Sequence, residues 1–189
     1  MRSINHENAF TGLEAAIVLI AFVVVAAVFS YVVLGAGFFT TQKSQEVVHT
    51  GVQQASSTLE IVGNVYGTGV AGTSIDTINF STALAPGGTP VDFDKVVITY
   101  SNASVLETLA RGTKLNAPGA GRWTIASVQN EVTIDDVLEK GEQFDIMAKP
   151  SSAIMKNDQF QMEIKPAIGA ALSISRTAPA SIQKVNIIY

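Results

Sequence analysis

The chain has 189 residues, no cysteine and a formal net charge of −4 at pH 7. Without thiols it can form neither disulfides nor cysteine metal sites, so its stability must come from burial, hydrogen bonds and neighbouring subunits. Of 12 Lys+Arg and 16 Asp+Glu, only Arg2, Glu7 and Glu14 precede Lys43, so the remainder carries 11 cations against 14 acids; no basic patch appears, which argues against a nucleic-acid partner.

The first nine residues, MRSINHENA, are polar, with Arg2 the only charged basic side chain. They precede an uncharged run from Ala15 to Gln42 that opens with fifteen apolar residues, AAIVLIAFVVVAAVF. About 20 apolar residues cross a bilayer, so this segment can span a membrane. It is too long for the apolar core of a secretory signal, and LGAGFF after it is a poor small-residue cleavage site. A short leader before a membrane-spanning helix fits better, with cleavage between Ala9 and Phe10. Thr11-Gly12-Leu13-Glu14 then reads as a capping box, Thr11 at the N-cap and Glu14 three residues on, where its carboxylate also complements the helix dipole.

Beyond Phe39 the apolar positions turn periodic: Val48, Val52, Ala55, Leu59 and Val62 step by four and three residues, a coiled-coil-like stripe. One continuous helix over residues 10–62 would be roughly 80 Å long. Residues 63–189 are of single-domain size and read as β. Runs rich in Val, Ile, Thr, Phe and Tyr recur at Leu59–Tyr66, Ile75–Ser81, Lys95–Ser101, Arg122–Val128, Gln143–Ala148, Gln159–Lys165, Ala171–Arg176 and Val185–Tyr189. Ala85-Pro86-Gly87-Gly88, Ala117-Pro118-Gly119 and Lys149-Pro150 separate them. About eight strands at this spacing predict a sandwich or barrel. QFQMEIK places Phe160, Met162 and Ile164 on one face. A short helix is expected from Thr133 to Gly141, opened by Thr133 with Asp136 three residues on. The fold class is therefore α+β: a long N-terminal hydrophobic helix followed by an all-β, immunoglobulin-like sandwich.

Both ends of the chain resemble one family. FTGLEAAIVLIAFVVVAAVFSYVVLGAGFF is similar to the mature N-terminus of archaeal flagellins (archaellins) and, more distantly, of type IV pilins, which are cut before a Phe four residues ahead of a Glu. FQMEIKPAIGAALSISRTAPASIQKV resembles the archaellin ending through Glu163, Lys165, Pro166, Gly169, Ala170, Arg176, Thr177 and Pro179. The matches cover about the first sixty and last thirty residues. Archaellin leaders usually end in Lys or Arg then Gly, whereas this one ends Asn8-Ala9. The resemblance implies a non-enzymatic subunit of the archaellum filament, made as a membrane-spanning precursor, cut by a prepilin-type peptidase and assembled on the cell surface. Its partners would be copies of itself, sister archaellins, and the membrane platform and motor. In the pilin-like reading Glu14 also neutralises the new amine of Phe10. Two other readings share this helix: a non-rotating adhesive archaeal pilin, toward which Glu14 leans, and a membrane-tethered surface binding domain, for which the leader stays uncut.

The remaining motifs carry little chemistry. Gly67-x-Gly69-x-x-Gly72, with Asp92 twenty residues on, matches a dinucleotide fingerprint in letters only; the mechanism needs a strand before and a helix after. It reads instead as a flexible joint between helix and sandwich. Asp92-Phe93-Asp94 and Asp135-Asp136 offer oxygen ligands for Ca²⁺ without the spacing of an EF-hand loop, and acids beside turns usually cap backbone N–H groups. His6 falls in the leader, and His49 lies on the polar side of the stripe, so no catalytic triad assembles; no cofactor is expected. Two sequons, at Asn79 and Asn102, are candidate N-glycan acceptors.

Overall fold

The computed structural model describes the backbone of residues 6–189, and side chains from Thr11 onward except that of Ser56. Residues 1–5 of the expected leader, and the side chains of Ala9 and Phe10, lie outside the described part. The chain divides into two units, residues 1–50 and 51–189.

A single helix, α1, runs over His6–Ser56, 51 residues, about 77 Å at 1.5 Å per residue. It starts before Phe10 and stops short of Val62. With the residues before Phe10 in place, Thr11 and Glu14 are therefore interior helical positions rather than an N-cap and its partner. The helix ends at Ser56, and Ser57 and Thr58 follow, residue types that favour caps and turns over helix interiors. The stripe consequently divides: Val48, Val52 and Ala55 stay on the helix, whereas Leu59, buried, opens the first strand.

Eleven strands follow: β1 (Leu59–Val70), β2 (Ser74–Leu84), β3 (Val91–Asp92), β4 (Val97–Asn102), β5 (Leu106–Arg111), β6 (Arg122–Gln129), β7 (Val137–Leu138), β8 (Gln143–Lys149), β9 (Gln159–Lys165), β10 (Leu172–Thr177) and β11 (Val185–Ile188). Nine form one sheet in the order β10-β9-β4-β5-β6-β8-β2-β1-β11, and β3 pairs with β7. Every pairing is antiparallel except β5 with β6, where Ala110 faces Arg122 and Arg111 faces Trp123. The sheet folds back on itself until its two edges meet: Thr177 N–H, at the end of β10, donates to the Tyr189 carbonyl at 3.0 Å. The result is a nearly closed sandwich, which leaves little unpaired edge.

Alternation explains the core. β9 alternates buried and exposed without a break, so Phe160, Met162 and Ile164 face inward as expected, and β8 contributes Phe144, Ile146 and Ala148. Phe93 packs on Phe144 and Trp123 with ring centroids 5.0 and 6.3 Å apart, and Tyr100 stacks on Phe160 at 6.0 Å. Burial pushes the Tyr100 phenol up to about 12.

Two local expectations are corrected. Gly67, Gly69 and Gly72 are not a flexible joint: the first two lie in β1 and Gly72 in the tight turn to β2. A Cβ on Gly69 would lie 2.1 Å from the Ser74 carbonyl oxygen, so close strand packing demands glycine there. No helix forms between Thr133 and Gly141; the segment is a bent loop with β7 inside it. The Asp135 carboxylate takes the Val137 N–H, and the buried Glu142 takes those of Val132 and Glu139 at 2.8 and 3.0 Å. Side chains that supply such partners remove the helix's advantage.

Candidate assembly interface

The described side chains of α1 bury almost nothing. Every one from Thr11 to Ala55 is exposed except half-buried Gln53, including Phe22 at 74% and Tyr31 at 81%. Twenty large apolar side chains on the helix stand in the open. A surface helix of a globular protein is apolar on one stripe; one apolar all round belongs inside a protein or a membrane. The stretch Thr11–Ala55 is long and apolar enough to cross a bilayer. Each such side chain contributes about 1.5–3 kcal/mol when fully buried. A dozen buried against neighbours therefore exceed the roughly 4–15 kcal/mol that association costs in lost freedom.

The polar groups of the helix are arranged for the same setting. Thr40 and Thr50 hydroxyls donate to the carbonyls four residues back at 2.8 and 2.7 Å, and Thr41 to the Phe38 carbonyl at 2.9 Å, so none needs water. Lys43 pairs with Glu46 at 2.6 Å and leaves little net charge there. His49 is exposed. A Cβ built on Gly35 or Gly37 would find nothing within 4 Å beyond the helix's own backbone, and the bare backbone permits close approach by another helix.

On the sandwich the two sequons occupy different settings. Asn102 ends β4 in the turn to β5; its Oδ1 accepts the N–H groups of Ser104 and Val105 at 2.9 and 2.7 Å, while Ala103 and Ser104 are exposed. Asn79 lies mid-strand in β2, between Tyr66 and Met147, with its Oδ1 buried and without a hydrogen-bond partner among the described residues.

The two acidic pairs come together, but around cations of the chain itself. Arg111 in β5 bridges Asp94 and Asp136, the latter at 2.5 Å, and lies over the Trp123 ring. Lys114 adds contacts to Asp136 and Glu131, both at 3.1 Å. Asp92 caps the short 3₁₀ turn Phe93–Lys95 by accepting the Asp94 N–H, and pairs with Lys95 at 2.8 Å. Burial pushes the Asp136 carboxyl up, but hydrogen bonds and charge from Arg111 and Lys114 outweigh it and hold the group below its ordinary 3.8. Among the described residues no group of three or more such ligands is placed to hold a metal.

Comparison with known proteins decides the family. The model of the archaeal-type flagellin family matches residues 9–176. A probable flagellin 1 of Archaeoglobus fulgidus is 42% identical over 200 residues, covering 100% of this chain and 98% of the relative. The chain belongs to the archaeal-type flagellin family. Among solved structures, the archaeal flagellum of Methanospirillum hungatei strain JF1 matches with a TM-score of 0.74 at 36% identity, over 94% of this flagellin and 99% of that chain. The crystal structure of archaeal flagellin FlaB1 from Methanocaldococcus jannaschii shares the fold at a TM-score of 0.59 and 17% identity, over 69% of this chain and 95% of that one.

The structure also gives this flagellin's C-terminal motif a physical role. Gly169, at φ +117°, packs on Ser57, the residue through which the chain leaves α1; a Cβ there would lie 1.8 Å from the Ser57 carbonyl oxygen. That oxygen accepts the Ala170 N–H at 3.2 Å, and the Ser57 hydroxyl bonds that of Thr89. Gly169-Ala170 is thus the seat that holds the entrance to the sandwich. Reading the sequence by strands missed this residue pair's function, although the resemblance had marked both positions.

Proposed function

We propose that this flagellin is a structural, non-enzymatic subunit of the archaellum filament, polymerising through α1 to drive swimming. The observation that carries the reading is the 51-residue helix with its large apolar side chains exposed, in a chain of the archaeal-type flagellin family. A contiguous apolar surface of that size marks an interaction site, and the 36% identical relative in the Methanospirillum flagellum supports a filament as its destination. The precursor spans the membrane through α1, with residues 1–9 as a leader. A prepilin-type peptidase removes it between Ala9 and Phe10, and the subunit then passes through the membrane platform and motor into an extracellular filament, alone or with sister subunits. After the cut, Thr11 and Glu14 fall in the first helical turn, where Glu14 faces the positive end of the helix dipole and the new amine of Phe10. The sandwich forms the outer surface and carries glycan, foremost at Asn102 in its exposed turn.

The test is genetic. Deleting the gene, with no sister subunit present, abolishes swimming and the surface filament, and the intact gene restores both. A deletion strain that swims normally overturns the reading; one that swims but no longer adheres favours the adhesive pilin.

A further inference from the structure

Two patches on the sandwich keep apolar side chains in water. The first is the tip of the loop between β6 and β7, where Val132 is 78% and Ile134 91% exposed. The tip is tied by hydrogen bonds on either side of Ile134. Buried Glu142 accepts the Val132 N–H at 2.8 Å, and Lys114 donates to the Asp135 carbonyl at 2.6 Å. The second patch is the outer face of the last strand. Val185, Ile187 and Tyr189 alternate outward, and Tyr66 sits beside Ile187 in register.

The patches complement each other in charge as well as apolarity. Around the tip stand Asp94, Glu131, Asp135, Asp136, Glu139 and buried Glu142; Arg111 and Lys114 pair with three of them and Lys140 follows Glu139, so six acids against three cations leave a net charge of −3. The strand face is flanked by Lys184, next to Val185, and by Arg176, whose neighbour Thr177 bonds the Tyr189 carbonyl. Neither cation makes an ion pair among the described residues. The patches are also distinct: Val132 and Ile134 lie in the loop after β6, and β6 stands four places from β11 in the sheet order. Two different patches that fit each other make a heterologous, head-to-tail contact, and such a contact repeats into an open helical array rather than closing a dimer.

We propose that the Val132–Ile134 tip of one copy docks on the Val185–Ile187–Tyr66 face of a second copy, so that the sandwiches lock together along the filament. This rests on the filament reading and adds to it a second, sandwich-borne contact.

The absence of cysteine makes the test clean. Filaments are assembled from a mixture of Ile134→Cys and Val185→Cys subunits, distinguished by mass, and treated with a short bifunctional maleimide. Cross-linked dimers containing one subunit of each kind are expected, with none in filaments of either variant alone. Filaments that form normally and yield no mixed dimer, or that yield dimers of one variant with itself, overturn the proposal and leave the filament reading standing; a wild-type chain that forms no filament defeats the filament reading instead. The critical concentration for assembly gives the second measurement. Val132→Ser with Ile134→Ser, and Val185→Ser with Ile187→Ser, should each raise it about tenfold, and all four together should raise it no further, because both pairs remove the same contact. Unchanged or multiplying effects overturn the proposal.

Discussion

Replacing Gly169 with alanine tests how the chain enters the sandwich. The new Cβ would sit 1.8 Å from the Ser57 carbonyl oxygen and 2.7 Å from the Ser57 Cβ, where ordinary contacts lie at 3.4–4 Å. Ser57 is 3% exposed and tied to Ala170 and Thr89, so it cannot step aside freely. Three costs combine. A non-glycine residue at φ +117° costs on the order of 1–3 kcal/mol. Overpacking against fixed backbone adds about 1–3 kcal/mol, and losing the Ala170–Ser57 hydrogen bond adds about 0.5–1.5 kcal/mol. A total of about 2.5–7.5 kcal/mol lowers the melting temperature by roughly 5–30 °C for a chain of this size. The assay is thermal unfolding of the full-length chain in detergent, followed by fluorescence of Trp123, the only tryptophan, which is 1% exposed in the core. Gly141→Ala is the control, because Gly141 has φ +93° with no atom within 4 Å of its would-be Cβ, so only backbone strain applies. If the two variants melt at the same temperature, the seat on Ser57 contributes nothing and the reasoning fails.

Other outcomes follow from the same geometry. Asp136 and Asp145 both titrate below the ordinary 3.8: burial raises each, and hydrogen bonds outweigh it, from Arg111 and Lys114 for Asp136 and from Ser127, Ser81 and Gln129 for Asp145. A lowered carboxyl stabilises the fold above its unfolded value and loses that contribution as pH falls through the folded one. Acid titration of the Trp123 signal should therefore show unfolding below pH 3.8, and Asp145→Asn should flatten that limb. Tyr100 behaves oppositely: raised from 10.0 to about 12, it costs stability as pH climbs through that window, and Tyr100→Phe should blunt the alkaline limb. Glu142→Ala leaves the N–H groups of Val132 and Glu139 without their carboxylate, a loss of about 2–6 kcal/mol at two donors, read as faster hydrogen exchange at both amides. Truncation after Ser181 removes β11, the partner of β1, and should abolish filaments. Peptide mass spectrometry should find glycan on Asn102; occupancy at Asn79, in mid-strand, requires attachment before the sandwich closes.

Much of this architecture is legible in the sequence because strong signals are local. Apolar runs of β-branched and aromatic residues mark eight strands, and QFQMEIK shows its inner face by alternation alone. β5 is hidden because Leu106 and Ala110 are exposed and only Leu109 is buried, so LETLAR lacks a repeating apolar face. The expected helix at Thr133 fails because its partners, Glu142 and Lys114, come from outside the segment. The sequence reads Asp92-Phe93-Asp94 and Asp135-Asp136 as turn caps or ligand oxygens but not as ion pairs, because the counter-ion of Asp94 and Asp136, Arg111, is remote from both in sequence. The helix's excess exposure is visible from composition; where it ends is not, since Leu59 continues the stripe while belonging to the sandwich core.

The central claim is that α1, freed of its leader, builds the interior of a surface filament. Electron microscopy of filaments sheared from cells, joined to N-terminal sequencing of their subunit, tests it most directly. The account predicts filaments whose subunit is this chain, begins FTGLE at Phe10 and packs residues 15–39 at the filament axis. A chain that begins at Met1 and remains a membrane-bound monomer, or filaments made wholly of another protein, would contradict it.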